Sequence, residues 1–249
     1  MKTLLLALAT SVSLLAATCE SLASAGLPHT TISIAETRQP GAFTPPSGGR
    51  PIGNLPAFCR VAGTIRPTSD SDIRFEVWLP ASGWNGKFQG VGNGGYAGVI
   101  NFAGLADAVR GGYASASTDT GHEDSRGNHA EWALQHLDKI ADFGYRAIHE
   151  TAVDAKEIIH AFYGDAPKRS YFNSCSNGGR QALMEAQLEG RCTARLWYPN
   201  LALTPFAICA PTSRLMVCII RERLSSYSRS TSAFRARPKG NSTDGLRCH

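Results

Sequence analysis

Between Ile73 and Leu79 the chain alternates apolar and polar side chains, Ile-Arg-Phe-Glu-Val-Trp-Leu, and Pro80 closes the run. A period of two predicts a half-buried β-strand, and proline, which has no N–H to give to a ladder, ends it. Lys87 to Val91 predicts a second strand, running into the glycine cluster Gly90-Val-Gly-Asn-Gly-Gly95. Tyr113 to Thr118 predicts a third, and its small side chains suit a central strand covered on both faces. From Asp142 to Tyr163 the period changes. Phe143, Ala147, Ile148, Ala152, Ala155, Ile159 and Phe162 recur at helical spacing until Gly164, which predicts an amphipathic helix with a glycine stop. A short strand over Ser170–Asn173, a sharp turn of small residues and a helix from Gly179 through Ala186 follow. Upstream, residues 38–57 are rich in Pro and Gly and read as an extended surface segment. Strands alternating with helices predict an α/β sheet.

Composition supports a folded chain and divides it in two. With 249 residues, 43% apolar and 18% charged, there is material for one sizeable core. The net charge of +5 is unevenly placed: residues 1–190 hold 15 Lys+Arg against 18 Asp+Glu, whereas 191–249 hold 10 against 2. The basic balance therefore belongs to an Arg/Ser-rich tail with no aromatic interleaving and no helical stripe, which argues against a nucleic-acid partner. At the other end, Met1-Lys2 and the Leu/Ala-rich stretch from Leu4 to Ala17 have the form of a secretory signal peptide, too short for a permanent membrane span. The domain expectation is a signal over 1–17, one domain over 18–190 and an atypical basic tail over 191–249. Location is expected to be secreted or periplasmic, where seven cysteines imply disulfides.

The segment richest in chemistry is Ser170-Tyr-Phe-Asn-Ser-Cys-Ser-Asn-Gly-Gly-Arg-Gln181. Ser176 stands between Ser174 and Gly178, small residues two positions either side. That is the spacing of the nucleophile elbow of α/β-hydrolases, a strand-to-helix turn so tight that bulky neighbours do not fit. The helix after the turn directs free N–H groups back toward Ser176, and the backbone N–H of Asn177 is a candidate oxyanion donor. The bland alternative is an ordinary Ser/Gly-rich loop. Gly90, Gly92 and Gly95 spell a second motif, Gly-x-Gly-x-x-Gly, that in another setting cradles a dinucleotide. Gly98, Gly104, Gly111 and Gly112 interrupt the helix such a site needs. The histidines at 122, 129, 136, 149 and 160 show no metal-binding spacing. Asp119 and His122 precede the serine, whereas hydrolase acids and histidines follow it. After Ser176 come only Glu185, Glu189, Glu222, Asp244 and His249, and no triad is built from these.

Several stretches, in order, carry a resemblance: Leu55-Pro-Ala-Phe-Cys-Arg60, Glu76-Val-Trp-Leu-Pro80, Trp84-Asn-Gly-Lys-Phe88, Gly90 to Gly98, Thr118-Asp-Thr-Gly-His122, Phe143-Gly-Tyr-Arg-Ala-Ile-His149 and Cys175 to Gln187. Over about residues 19–187 the chain resembles the secreted serine esterases of the tannase and feruloyl esterase family. The resemblance implies an α/β-hydrolase-like sheet in which Ser176 attacks the carbonyl of a small phenolic ester, feruloyl or galloyl, with Gly94 or Gly95 as the second oxyanion donor. It implies no cofactor in this part, since the family's calcium site lies in a lid that is not recognisable here, nor are the later strands. Cys19-Glu-Ser-Leu22 resembles the start of the mature family domain, which implies a Cys19–Cys59 bridge and signal cleavage before Cys19. Cys175 matches the family cysteine beside the nucleophile. Its partner belongs to a late His-Cys pair, and this chain offers only Cys248-His249 in reverse order, so that bridge is not carried over. The shift in charge and cysteine content near 188–191 is what an out-of-frame tail produces, and a chain lacking the triad acid and histidine is expected to have little or no esterase activity, the alternative being a non-catalytic remnant that binds phenolics or glycans. Nothing in the sequence fixes an oligomeric state.

Overall fold

In a computed structural model, residues 17–96, 98–124 and 129–189 are described, together with the backbone of 193–196 and 206–208. Ten strands and four α-helices are found among them: β1 (Thr30–Arg38), β2 (Gly41–Phe43), β3 (Ile52–Leu55), β4 (Phe58–Ile65), β5 (Ile73–Pro80), β6 (Lys87–Val91), α1 (Phe102–Arg110), β7 (Ala114–Thr118), α2 (Leu137–Ala141), α3 (Ala147–Tyr163), β8 (Arg169–Ser174), α4 (Asn177–Glu189), β9 (Thr193–Leu196) and β10 (Phe206–Ile208). Eight strands form one sheet in the order β1-β4-β5-β7-β6-β8-β9-β10. From β1 to β7 neighbours run antiparallel, while β7, β6, β8 and β9 are mutually parallel and β10 turns back. The mixed sheet with its helices is an incomplete α/β-hydrolase-like fold. Strands β9 and β10 continue the sheet at the edge beyond β8.

The core lies on both faces. Ile73, Phe75, Val77 and Leu79 of β5 pack with Val61, Ile65 and Ala116 against Ile158 and Ile159 of α3. Trp78, on the opposite face, packs with Phe58, Phe43, Leu105 and Val109 beneath α1 and the small β2–β3 hairpin. Phe58 stacks on Trp78 at 4.4 Å and Phe43 meets it edge-on at 4.8 Å. This corrects two expectations. The Ile73–Leu79 strand is not half-buried: apart from Arg74 it is covered on both faces. Its polar Glu76 is inside because it accepts from Arg60 Nη2 and Nε (2.6 and 2.9 Å) and from Trp78 Nε1 (2.9 Å), which replaces the water it loses. The segment 38–57 is not merely an extended surface either, since β2 pairs with β3 and buries Phe43 and Leu55.

Strands β1 and β4 carry no clean alternation and were not expected from the pattern. They pair along their whole length, with a register shift between Ile32 and Ile34. Cys19, just before a short 3-10 turn at Glu20–Ser24, is disulfide-bonded to Cys59 of β4, with Cα atoms 5.5 Å apart. The helix expected from Asp142 begins as a π-turn over Asp142–Arg146 before α3 proper. Gly164 ends α3 at φ +76°, where a side chain would be strained, as its position in the sequence predicts.

Candidate active site

The order β7-β6-β8 sets the site. The chain leaves β6 for β7 on one side, then returns past β6 to β8 on the other. Loops from β6 and β8 therefore diverge at one end of the sheet, the switch point where open α/β sheets bind ligands. Three loops leave the C-terminal ends of the strands there: Gly92–Asn101 after β6, Asp119 onward after β7, and Cys175–Ser176 after β8.

Ser176 is exposed and takes φ +54°, a conformation that a side chain rarely adopts. The strain arises because β8 must turn into α4 within two residues. Gly178 makes the turn possible: a Cβ there would collide with Cβ and Oγ of Ser174 and come within 3.1 Å of the Asn93 carbonyl oxygen. Gly178 N–H and Gly179 N–H close the first helical turn onto the carbonyls of Cys175 and Ser176, both at 2.9 Å. The N–H of Asn177, and those of Gly94 and Gly95 across the site, make no hydrogen bond among the described residues. Gly94 and Gly95 are both exposed. Cys175 is disulfide-bonded, and its partner falls outside the described residues.

Two buried amides, not singled out in the sequence, lock the glycine loop to the elbow helix. Gln181 Oε1 accepts from Asn93 N–H (3.2 Å), and Gln181 Nε2 donates to Asn93 Oδ1 (2.7 Å). Asn93 Nδ2 in turn donates to the carbonyls of Val99 and Thr118, both at 3.2 Å. One side-chain pair thus ties together all three loops. The motif glycines serve the same contact. A Cβ on Gly92 would sit 2.5 Å from Gln181 Oε1 and 2.9 Å from Phe172, and one on Gly90 would sit 2.8 Å from Phe172. Their spacing reflects close packing against β8 and α4, and α1 begins only at Phe102, which leaves a dinucleotide without the helix N-terminus it requires. Arg180 adds a further brace: Nε donates to Asn177 Oδ1 (2.7 Å), Nη2 to the Phe143 carbonyl (2.9 Å), and the guanidinium lies over the Phe143 ring at 4.8 Å. No sequence signal identified Asn93 and Gln181, because each is an ordinary polar residue until its partner, 88 positions away, is brought to it.

Asp119 and His122 do not pair with one another. Asp119 Oδ1 accepts from the backbone N–H groups of Arg74 (3.0 Å) and Gly121 (2.9 Å), and burial pushes its pKa up to about 7. His122 is buried, its ring stacked on Trp132 at 3.8 Å, and its Nε2 donates to the Tyr96 carbonyl at 2.7 Å. Burial holds its pKa below the usual value, so the ring is neutral at pH 7. Glu185 faces not the serine but His149 of α3, at 3.4 Å. The side chain of Glu189, and all of Glu222, Asp244 and His249, lie outside the described residues. Among the described residues no three His, Cys, Asp or Glu side chains come together to hold a metal ion, and no helix is long and apolar enough to cross a membrane.

The chain is similar to several known proteins. An uncharacterized esterase of Xanthomonas campestris pv. campestris is 48% identical over 171 residues, 69% of this chain and 29% of its own length. A probable feruloyl esterase B-2 of Aspergillus flavus is 41% identical over 129 residues, covering 52% of this chain and 24% of that protein. Among solved structures, feruloyl esterase B from Aspergillus oryzae matches with a TM-score of 0.63 and 33% identity, over 68% of this chain and 34% of that one. The chain therefore spans about a quarter to a third of the length of these relatives. The family model described as tannase and feruloyl esterase matches residues 59–190, which cover β4 to α4 and every loop of the site. On that match over more than half its length, the chain belongs to the tannase and feruloyl esterase family of esterases.

Proposed function

We propose that Ser176 is the nucleophile of a carboxylic-ester hydrolase acting on phenolic esters of feruloyl or galloyl type. The observation that carries this reading is the left-handed backbone of an exposed serine at a strand-to-helix turn, beside three backbone N–H groups that make no hydrogen bond among the described residues. In this reaction Ser176 Oγ adds to the ester carbonyl while its proton passes to a base. The N–H groups of Asn177 and of Gly94 or Gly95 hold the oxyanion. Collapse of the tetrahedral intermediate expels the alcohol, which takes a proton, and water then hydrolyses the acyl-enzyme.

The base is the weak part of the arrangement. His122 is committed to Tyr96 and Trp132, His149 faces Glu185, and the only histidine after Ser176 is His249. The 249-residue chain is on this reading a slow esterase, because loss of triad members leaves only the rate that the oxyanion hole and binding supply. Assaying the chain on methyl ferulate, methyl gallate and the activated 4-nitrophenyl ferulate tests both statements. We expect acylation of the activated ester, abolished in Ser176→Ala, with the methyl esters turned over slowly. No acylation in the wild type, or equal rates in Ser176→Ala, overturns the nucleophile. Rapid turnover of a methyl ester overturns the missing base. If the coding sequence beyond codon 187 yields an Asp and a His-Cys pair in another frame, the tail from 191 is an artefact.

The same reading includes export, with cleavage before Cys19 so that the Cys19–Cys59 bridge is retained. The intact mass of the secreted protein checks it, and an N-terminus at Met1 or beyond Cys19 rejects it.

A further inference from the structure

A cleft of about 450 Å³ opens beside the glycine loop, between the turn joining β2 to β3 and the first residues of α1. Its volume is in the range of small-molecule sites. Ile52, Val99 and Phe102 give it apolar walls, Asn93 and Gly94 form the end that meets the oxyanion loop, and Arg50 supplies a cation. That cation is unlike most arginines of the fold. Arg38, Arg60, Arg66, Arg74, Arg110 and Arg146 each face a carboxylate, whereas Arg50 forms no ion pair among the described residues. Two residues beyond Gly94 the same loop changes character: Tyr96 packs with Phe143 at 5.8 Å, and Phe143 with Trp132 at 5.3 Å. The loop that flanks Ser176 thus offers an aromatic face at one end and a cleft with an unpaired guanidinium at the other.

We propose that this cleft receives the alcohol part of the ester and that Arg50 selects alcohols carrying a carboxylate. The inference rests on the reading of Ser176 as an esterase nucleophile and names the substrate class. The chemistry assigns the sides. In an ester of a phenolic acid the acyl carboxyl is consumed by the bond, so a remaining carboxylate belongs to the alcohol. The planar phenolic ring is matched by the aromatic face at Tyr96, and a guanidinium meets a carboxylate with paired N–H donors.

The test uses the whole chain bearing Ser176→Ala, so that binding is read without turnover. Calorimetric titration compares chlorogenic acid, a phenolic ester whose alcohol carries a carboxylate, with its neutral methyl ester. The free acid is expected to bind about fivefold tighter, the size of a solvent-accessible ion pair. The ratio should fall to about one in Arg50→Ala, persist in part in Arg50→Lys and shrink at high salt. Equal affinities, a ratio unchanged in Arg50→Ala, or no binding of either probe overturns the proposal. The nucleophile reading fails independently, through unaltered acylation in Ser176→Ala, and its failure leaves the affinity ratio free to appear or not.

Discussion

The two halves of the sheet are built on different principles. In the antiparallel half, β1, β4 and β5 lie in long register, stapled by Cys19–Cys59 and packed on both faces, and even their buried charges are matched, Arg60 to Glu76. In the parallel half, β6, β7 and β8 are short, and the loops at their ends hold Thr120, Gly121 and Ser176 at positive φ. There, a carboxyl is buried against its preference for water, and glycines leave no room for a methyl group, as Gly63 of β4 also does. The first half has local interactions that agree with the fold. The second stores strain and desolvation beside the serine, and these persist only because the first half and the Asn93–Gln181 pair hold the loops in place. With Ser176 in its proposed role, stability and chemistry are thus separated within one continuous sheet.

If that division is right, a change in the antiparallel half should be costly without touching chemistry. Glu76→Ala leaves the Arg60 guanidinium and the Trp78 N–H buried without their main partner, and should lower unfolding free energy by about 3–5 kcal/mol. Urea denaturation measures it, and a loss below about 1 kcal/mol would mean that water reaches the pair.

The next effect is a pH dependence seated in the parallel half. The Asp119 carboxyl has its pKa raised from 3.8 to about 7 in the fold, so the unfolded chain gives up that proton first as pH rises. Its contribution is greatest below pH 3.8 and declines until about pH 7, where the folded form also ionises. Asp119→Asn keeps the acceptor for Arg74 and Gly121 and removes the ionisation. The variant should therefore gain on the wild type as pH rises through this window and level off above it. Urea midpoints at pH 5, 6 and 8 check this, and parallel curves for the two proteins reject it.

The smallest effect has the opposite sign. Ser176→Gly frees the one residue whose backbone is strained at the centre of the elbow, and should raise stability by about 1 kcal/mol while abolishing acylation. A change that stabilises and inactivates together is the signature of strain held at a functional position. A destabilised Ser176→Gly would place the elbow with the well-matched half.

Much of this was readable in the sequence, and the reasons differ by element. The strands at 73–80, 87–91 and 114–118, the long helix and its Gly164 stop follow from periodicity and from backbone chemistry that belongs to single residues. The elbow was legible for the same reason, since only small residues at positions 174 and 178 permit so tight a turn. Strands β1 and β4 were not: Arg60 inside β4 is neutralised by Glu76 on the neighbouring β5, and no local pattern records that. The fate of 38–57 depended likewise on Phe43 finding Trp78.

What the sequence alone determined is therefore the set of short-range constraints: where the backbone must turn, which residue stands at the turn, and which family those motifs belong to. What only the tertiary structure decided is which distant groups meet. Asn93 finds Gln181, Asp119 bonds to Arg74 rather than to His122, His122 is taken up by Tyr96 and Trp132, and Arg50, beside a cleft, meets no acid among the described residues. A hydrogen bond or an ion pair acts over a few ångströms of space and leaves no trace in the spacing of residues along the chain, so these pairings appear only once the sheet has brought its strand ends together.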